Sequence, residues 1–375
     1  MGATNDSRPF AELWLGSHPS GSAVIGDQVG VTLRDMIADN TVSALGPRLS
    51  AHTNELPFLL KVLSVAQPLS IQAHPDAAFA KKLHSEHPEH YPDPRHKPEM
   101  GIALTPVHLL CGFKTKDELL DTFARHPALL NLLPRVVAEE VRSDSSSLSE
   151  EGLRSIAYRS IVQAPASDRG SATNAIAAGV ADRSDQSLFE QRIPALIAEY
   201  GSEDIGVASG LLLKELTLMP GEALYIAPRI PHAYLQGDLI ECMAASDNVV
   251  RGGLTRKFQD TETLVEMLDY RSSDPGTVHP EDDPQGQHTE YFSPPVADFQ
   301  VAIMSGSGDK IRVMPAGAPQ IVLQLEGTST IIFPGGESLI LTVGQGLFVP
   351  ACIESYLVDL QKGRTVRATI GRCEG

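Results

Sequence analysis

The sequence predicts a mainly β protein with a helical insertion, and three observations lead to this fold class. Short apolar runs bounded by Gly and Pro turns occur towards both ends of the chain. Between them lies a long stretch with helical spacing, and two of the β segments echo each other. The chain has 375 residues, with 31 Gly and 27 Pro, a length that suggests two or three domains.

The first predicted strands occupy residues 56–75. The run Leu-Pro-Phe-Leu-Leu-Lys-Val-Leu-Ser-Val has the length and apolar content of a buried strand. In the next run, residues alternate between an apolar face and a polar face. The apolar positions are Leu69, Ile71 and Ala73, and the polar positions are Ser70, Gln72 and His74. A short helical patch follows within residues 76–96.

Residues 116–205 differ in character from the segments on either side. KDELLDTFARHPALLNLL and DQSLFEQRIPALIAEYG carry apolar residues at helical spacing. SSSLSEEGL offers a helix start, since a hydroxyl residue is followed by acids in the first turn. The pattern predicts a helical insertion or subdomain.

The strand pattern returns in residues 206–270, with turns predicted at Pro-Gly and Gln-Gly-Asp. Residues 271–290 are rich in Asp, Pro and Gly and predict a linker. Residues 291–375 are again β, with turns predicted at Glu-Gly-Thr, Pro-Gly-Gly-Glu and Val-Gly-Gln-Gly. We therefore expect residues 1–115 and 206–270 to form one discontinuous domain, followed by a C-terminal β domain.

An internal echo relates the two β regions. Residues 220–226 and 343–349 each contain a Gly turn and then an apolar strand with one aromatic residue, and a Pro comes within two residues of that strand. The strand leads to His232 in the first copy, and the matching position in the second copy is Ser355. A match this short also arises by chance in β proteins. We predict two similar β units, of which only the first keeps a candidate metal ligand.

Charge and cysteine usage limit the classes of partner and compartment. A formal net charge of −17 disfavours nucleic acid and anionic membranes, and a phosphorylated substrate would need a local cluster of Lys and Arg. No CxxC pair occurs among the four cysteines, which predicts reduced, buried thiols in a cytoplasmic protein. They are Cys111, Cys242, Cys352 and Cys373. The sequence shows neither a signal peptide nor an apolar run long enough to span a membrane.

Two side chains of the alternating strand, Gln72 and His74, are the first candidate metal ligands. Residues two apart on a strand share a face, and a polar face inside a small barrel is costly unless it is satisfied. Imidazole and amide oxygen both suit zinc or a similar divalent ion. Taken alone, the motif is more typical of a strand that faces solvent.

Glu99 and His232 extend this ligand set. Pro98 favours an extended backbone at Lys97, which places Lys97 and Glu99 on one side. His232 follows an apolar strand and Ile-Pro, a good position at the lip of a barrel. Taken alone, Lys97 and Glu99 are more typical of a surface salt bridge, and His232 is more typical of a core histidine with a hydrogen-bond partner. We interpret four further histidines as surface residues, namely His84, His87, His90 and His96.

A buried acid and a cationic loop complete the constellation. Glu241 lies within an apolar strand, where a carboxylate is expensive unless it is paired or functional. Asp247, Arg251 and Lys257 follow in a Gly-rich segment, whose alternative interpretation is a surface loop of mixed charge. Together the four candidate ligands supply two nitrogens and two oxygens, a credible zinc shell. Arg251 and Lys257 supply the positive charge that a phosphate requires.

The ordered strings PFAELWLGSHPSG, LSIQAHPD, HYPDPRHKPEM, PHAYL and IECMAASDNVVRGGLTRKF resemble the type I mannose-6-phosphate isomerases (phosphomannose isomerases). The resemblance covers nearly the whole chain and is most specific at 69–76, 96–113 and 231–258. It implies two cupin jelly-roll barrels with an inserted helical domain. It also implies interconversion of mannose 6-phosphate and fructose 6-phosphate with one zinc per chain, and an essential arginine at Arg251. The implied zinc ligands are Gln72, His74, Glu99 and His232.

The resemblance also implies an additional strand ahead of Ala-Glu-Leu-Trp. In this sequence that string begins only a few residues after Met1, so we expect an exposed strand edge.

The isomerisation implied by the resemblance moves a proton between C1 and C2 through a cis-enediol. Glu241 and Lys97 are both candidates for the base. Asp247 either orients Arg251 or shares in the proton transfer. Arg251 and Lys257 hold the phosphate or stabilise enediolate charge, and Ser70 donates to the substrate.

Two alternatives from other classes are an iron cupin oxygenase and a non-catalytic sugar-binding cupin. Gln72 as a fourth protein ligand and the cationic loop argue against the oxygenase. We expect a cytoplasmic and monomeric enzyme, and a role in mannose catabolism or in GDP-mannose biosynthesis stays open.

Overall fold

The structure, a computed structural model, describes residues 11–26, 30–143, 147–271, 276–284 and 286–371. Its helices are α1 (Leu33–Asp39), α2 (Thr41–Ser50), α3 (Ala77–Glu86), α4 (Lys116–Arg125), α5 (Arg135–Arg142), α6 (Glu150–Gln163), α7 (Ala166–Ala181), α8 (Ile193–Tyr200), α9 (Ile205–Ser209) and α10 (Thr261–Met267). Short 3₁₀ helices cover Pro127–Leu132, Glu190–Arg192 and Gly210–Leu212.

The strands form two antiparallel sheets. Those of the first sheet are β1 (Glu12–Leu15), β2 (Phe58–Val65), β3 (Gln72–Ala73), β4 (Glu99–Ala103), β5 (Val107–Phe113), β6 (Leu213–Leu218), β7 (Ala223–Ile226), β8 (His232–Ala244), β9 (Val250–Arg251) and β10 (Thr277–Val278). Those of the second sheet are β11 (Glu281–Asp282), β12 (Thr289–Phe292), β13 (Gln300–Gly306), β14 (Asp309–Val313), β15 (Gln320–Ile332), β16 (Ser338–Thr342), β17 (Gly346–Val349) and β18 (Tyr356–Thr369).

Strand β8 organises the first sheet. Its second half pairs with β2 and β4, and its first half pairs with β5 and β3. The backbone bends between these halves at Gly237, where φ is +118°. A Cβ there would lie 2.5 Å from the carbonyl oxygen of Pro106, so glycine is required. The turn predicted at Gln-Gly-Asp is therefore wrong, because this segment is a kink inside one long strand.

Strand β18 has the same organising place in the second sheet and pairs with β13, β14 and β15. The turn predicted at Glu-Gly-Thr is also wrong, because residues 326–328 lie inside β15 at a register irregularity. The turns predicted at Pro-Gly-Gly-Glu and Val-Gly-Gln-Gly do separate strands. Strand β17 leads into β18 as β7 leads into β8, so the sequence echo corresponds to a repeated order of strands.

The helices α4 to α9 lie between β5 and β6 in the chain, as the spacing in residues 116–205 predicts. Their apolar residues, among them Leu119 and Tyr158, share one core with Ile71 and Ala73. The helices thus pack against the apolar face of the short strand β3, opposite the face that carries Gln72. Only Gln72–Ala73 of the alternating run is a strand, and Leu69 is exposed rather than buried with the other apolar positions.

The sequence did not indicate α1 and α2. Helix α1 begins with a capping box in which the side chains of Thr32 and Asp35 each bond to the other's backbone N–H. Helix α2 contains Gly46 and Pro47 at a kink, which obscures its helical pattern. Both helices pack into the apolar core that the two sheets share.

The two sheets meet through this shared core, which joins Phe58 and Ile240 of the first sheet to Ile303 and Val366 of the second. The predicted linker, residues 271–290, is not free of regular structure. It contributes β10, which pairs with β7, and β11, which pairs with β12. At the opposite end of the first sheet, β1 lies at the edge and pairs with β2.

The described cysteines form no disulfide with one another, and Cys111 and Cys242 are buried as predicted. Cys352 is exposed, which corrects the expectation of a buried thiol at that position. Cys373 lies outside the described residues. In the described part of the chain, every helix is too short or too polar to cross a membrane.

Candidate metal centre and cleft

Three buried side chains of the first sheet converge on one point. His74 Nε2 lies 3.2 Å from Glu99 Oε1, and His232 Nε2 lies 3.3 Å from Glu99 Oε2. One ligand atom from each residue lies within 4.8 Å of the other two. All three residues are no more than 2% exposed. They come from different parts of the chain, and Glu99 and His232 open β4 and β8.

Backbone carbonyls orient the two imidazoles. The Nδ1–H of His74 donates to the carbonyl of Asn248 at 2.7 Å, and that of His232 donates to the carbonyl of Ile230 at 3.0 Å. This arrangement leaves each Nε2 as the atom that faces Glu99, as second-shell carbonyls do for metal-bound histidines. Burial lowers the pKa of His74 to about 4, although Glu99 opposes the shift. His74 is therefore neutral near pH 7 and carries a lone pair for a cation.

The centre is unsatisfied without a cation. His74 Nε2, His232 Nε2 and Glu99 Oε2 are buried and have no hydrogen-bond partner among the described residues. Burial alone raises the pKa of Glu99, but His74, Lys97 and His232 outweigh it and hold that pKa well below its usual range. An ionised carboxylate beside the Nε2 atoms of two imidazoles fits a divalent ion. Zinc suits this set of two nitrogens and one oxygen.

Gln72, the fourth predicted ligand, lies on β3 beside this centre. Its backbone is paired with His232 on one side and with Arg251 on the other. Its side-chain oxygen accepts a hydrogen bond from Ser70 Oγ at 3.3 Å, and both side chains line the same cleft as Glu99. Ile71 and Ala73 point into the core instead, so the predicted alternation of faces is confirmed at these positions.

The cleft above Glu99 has a volume of about 570 Å³. The predicted site residues that line it are Ser70, Gln72, Lys97, Glu99, Glu241, Asp247, Arg251 and Lys257. Lys61 and Arg256 line it as well, so five cationic side chains face one cleft in a protein of net charge −17. The cleft thus concentrates positive charge in a negatively charged protein, as the binding of a phosphate requires.

Glu241 is buried, at 4% exposure, and pairs with Lys61, whose Nζ lies 3.2 Å from Glu241 Oε2. Burial and the charge of Glu99 raise the pKa of Glu241, against the opposing effect of Lys61 and Lys97. Burial lowers the pKa of Lys61, but Glu241 and Glu99 outweigh it and raise that pKa. Lys97 Nζ lies 3.2 Å from Glu99 Oε1, so the two candidate bases have different partners.

Asp247 and Arg251 line the same cleft but have different partners. Asp247 accepts a hydrogen bond from Ser20 Oγ at 2.6 Å and lies 3.5 Å from His18 Nε2. Within the described ranges, Arg251 has no ion pair with Asp247 or with any other acid. The two predicted roles of Asp247, orienting Arg251 or sharing in proton transfer, therefore have no support from a direct contact between these side chains and stay predictions. Burial lowers the pKa of Arg251, and an arginine so shifted stays cationic near neutrality.

Several cleft residues were missed in the sequence. Lys61 is the single charge in the apolar run of β2, and the reasoning that identified Glu241 also applies to it. Trp14 packs against Lys61, whose Nζ lies 4.6 Å from the ring centroid. Tyr234 follows His232 by two residues and reaches Gly101, where a Cβ would lie 2.8 Å from its hydroxyl. The four histidines predicted to lie on the surface do not join the three-residue centre.

Fold and site together define a metal-binding β-sheet enzyme with a cleft for a small anionic substrate. Residues 2–116 match the phosphomannose isomerase type I catalytic domain. The chain is 39% identical to the mannose-6-phosphate isomerase of Bos taurus, over 92% of this chain and 85% of that protein. It is 37% identical to the Homo sapiens protein of the same name, over 92% of this chain and 85% of that protein.

Solved structures agree with these relatives. The Salmonella typhimurium mannose 6-phosphate isomerase bound to fructose 6-phosphate and zinc superimposes with a TM-score of 0.85 at 29% identity, over 99% of this chain and 93% of that one. The chain belongs to the mannose-6-phosphate isomerase family.

Proposed function

We propose that this chain is a zinc-dependent isomerase that interconverts mannose 6-phosphate and fructose 6-phosphate. The observation that carries the proposal is the buried group His74, Glu99 and His232, unsatisfied without a cation, beside a cleft rich in Lys and Arg. The names of the relatives and the zinc and fructose 6-phosphate in the Salmonella structure support the same reaction.

Two cupin barrels with a helical insertion are the architecture that we propose for this activity. The repeated order of β7–β8 and β17–β18 supports two related barrels. The catalytic domain comprises residues 1–115 and 206–270, and the insertion comprises 116–205. Residues 271–290 connect it to the C-terminal barrel, 291–375.

Gln72, His74, Glu99 and His232 are the proposed ligands of one zinc ion per chain. The three unsatisfied buried atoms support His74, Glu99 and His232, and the strand pairing of Gln72 with His232 supports Gln72. When bound, zinc supplies Lewis acidity that stabilises negative charge on the sugar oxygens at C1 and C2. A set of four protein ligands would suit this chemistry. Iron oxygenases instead use three ligands, two His and one carboxylate, and keep the remaining positions open for oxygen.

Glu241 is the base that we propose for proton transfer. It takes the proton from C2 of the aldose and returns it to C1, while a second proton passes from O2 to O1. Its carboxylate is buried, faces the cleft and is held by Lys61. Lys97 already pairs with Glu99, which favours a role in holding that carboxylate over a role as the base.

Substrate recognition falls to the cationic side of the cleft. Arg251 has no acidic partner among the described residues, which leaves its guanidinium available for phosphate or for enediolate charge. Lys257 is exposed at the rim, where it attracts the phosphate. Ser70 lies next to Gln72 and donates to a sugar oxygen. Asp247, at the cleft wall, is itself held by Ser20 and lies beside His18.

The three described cysteines form no disulfide with one another, which supports a reducing compartment and a cytoplasmic location for the enzyme. We propose a monomer as its working state, which light scattering of the purified chain would test.

The decisive experiment is a coupled assay on mannose 6-phosphate with purified enzyme. Removal of the metal by a chelator is expected to abolish turnover, and zinc is expected to restore it. Full turnover in the stripped enzyme would contradict the role of the metal. Sugar-phosphate binding without turnover in the zinc-loaded enzyme would identify a binding protein instead.

A further inference from the structure

A half-open cavity with a volume of about 390 Å³ lies among the strands of the second sheet. Its walls come from β12, β13, β14, β15 and β18, and none of its lining residues lines the catalytic cleft. A volume of this size is that of a small-molecule site. The metal and the isomerisation leave this cavity without a role.

The alternation of β18 explains why the cavity is polar. Val366 and Ala368 point into the core shared by the two sheets. Arg367 and Thr369, on the opposite face of the strand, line the cavity. The register Val301↔Ala368 and Ala302↔Arg367 places β13 alongside. An arginine on an inward face of a sheet is costly unless its charge is compensated.

Arg367 has no compensating partner among the described residues. The residue is only 7% exposed, and its side chain forms no ion pair or hydrogen bond within residues 11–26, 30–143, 147–271, 276–284 and 286–371. Its guanidinium carbon lies 5.7 Å from the centroid of the Tyr291 ring, a cation–π contact that fixes the plane without neutralising the charge.

Other polar side chains of the cavity have partners in the protein. Gln300 Nε2 donates to Ser293 Oγ at 2.6 Å, and Tyr356 OH donates to Gln320 Oε1 at 2.6 Å. Thr369 Oγ1 donates to the carbonyl of Pro319 at 3.0 Å. The buried hydroxyl of Thr289 is unsatisfied, as is Nε of Arg367. The missing partner is therefore an acceptor of hydrogen bonds.

Charge and shape indicate the kind of acceptor. Asp283 lines the cavity but accepts from the backbone N–H of Gln287 at 3.1 Å, and Arg312 lies on the same wall. Two arginines against one aspartate leave the cavity with a net positive charge. The planar guanidinium matches the two oxygens of a carboxylate or of a phosphate. Met304, Ile311 and Val313 offer an apolar surface to the rest of such a molecule.

We propose that the cavity of the second sheet binds a small organic anion whose carboxylate or phosphate pairs with Arg367. This site is separate from the catalytic cleft and takes its ligand independently of zinc and of the sugar substrate.

The test measures anion binding to zinc-loaded, full-length enzyme by calorimetry, with gluconate, inorganic phosphate and fructose 6-phosphate as separate probes. Trp14 is the only tryptophan and lines the catalytic cleft, so its fluorescence reports occupancy of that cleft alone. Arg251→Ala weakens the catalytic cleft and leaves the second site as a separate binding event. Gluconate against phosphate distinguishes a carboxylate ligand from a phosphate ligand.

The expected result is one equivalent of anion that leaves Trp14 fluorescence unchanged. Its affinity falls at least about tenfold in Arg367→Met and severalfold in the rim variant Arg312→Ala, and it is retained in Arg251→Ala. Isomerase turnover stays at the wild-type level in both Arg367→Met and Arg312→Ala. Because Arg312 is exposed, its variant tests the site even if Arg367→Met does not fold.

Two results would overturn the proposal. One is the absence of any binding event beyond the catalytic cleft with all three probes. The other is an extra binding event whose affinity is the same in wild type, Arg367→Met or Arg367→Lys, and Arg312→Ala.

Discussion

The two sheets repeat one short succession of strands but hold different side chains in their interiors. In the first sheet, β7 leads into β8 at His232, and the interior holds two imidazoles and a carboxylate. In the second, β17 leads into β18 just after Ser355, and the interior holds Arg367. The unsatisfied buried atoms of the first interior are imidazole nitrogens and a carboxylate oxygen, whereas the second presents a guanidinium nitrogen. The comparison teaches that the strand order supplies a cavity, while a few inward side chains decide what it binds.

The largest expected effect comes from replacing His232, the first residue of β8. The matching position in the second sheet is Ser355, which comes just before β18. His232→Ala is expected to lose zinc and to lower kcat by at least about 10³-fold, because metal stabilisation amounts to several kcal/mol. Zinc content by elemental analysis and the coupled assay measure the two effects. Ser355→Ala is the matched control and keeps both zinc and turnover. A variant at His232 that keeps its zinc would break the comparison.

The second effect concerns the acid on β8. Glu241→Gln is expected to lower kcat by about 10²- to 10⁴-fold while zinc stays bound, because a general base is removed and the metal ligands are not. Exchange of the C2 proton with deuterated solvent should fall in parallel. Glu12→Gln is the control, since Glu12 also faces Lys61, at 3.9 Å, but is exposed. Unchanged solvent exchange in Glu241→Gln would transfer the role of base to Lys97.

The third effect tests the cationic side chains that line the cleft of the first sheet, next to the metal centre. Arg251→Ala is expected to lower kcat/KM by about 10²-fold with zinc retained, because a charge that stabilises the transition state is lost. Arg256→Ala is the matched control, since Arg256 already pairs with Glu199 at 3.2 Å. Loss of zinc in Arg251→Ala would instead assign this arginine to the structure of the metal centre.

The smallest effect concerns the helical insertion, which the second sheet lacks among its described residues. Glu190 accepts from Arg125 Nε at 2.6 Å and lies 2.7 Å from His126 Nε2. Burial raises the pKa of Glu190, but Arg125 and Ser187 outweigh it and lower that pKa to about 2. The stability from this depressed pKa is present above the ordinary value of 4.5 and is lost as the pH falls towards 2.

Glu190→Gln is therefore expected to destabilise the protein by about 2 kcal/mol at pH 7, with a smaller difference from wild type at pH 3. Chemical denaturation at the two pH values measures this, and zinc content should not change. An equal difference at both pH values would mean that the charge of Glu190 has no part in the effect.

The strands and helices that could be predicted from the sequence are those in which apolar residues recur at the spacing of a strand or a helix. Gln72 and His74 were candidates because they share the polar face of an alternating strand, and Glu99 was a candidate because Pro98 favours an extended Lys-Pro-Glu segment. The kink at Gly237 was taken for a turn, since glycine with a polar neighbour on each side is typical of one. Pairing of both halves of β8 with other strands overrides that local signal. The partners of Asp247 were not predictable, because His18 and Ser20 lie more than 220 positions away.

The irregularity of β8 near its kink has a consequence for how the enzyme tolerates change. Tyr234 and Glu241 both line the cleft, although they are seven positions apart and would face opposite sides of a regular strand. The register shift opposite His108 and Leu109, together with Gly237, reverses the parity of the strand between them. His232 and Glu241 are thus kept in phase by one offset of a single residue. Deletion of one residue from this segment would turn Glu241 away from the cleft.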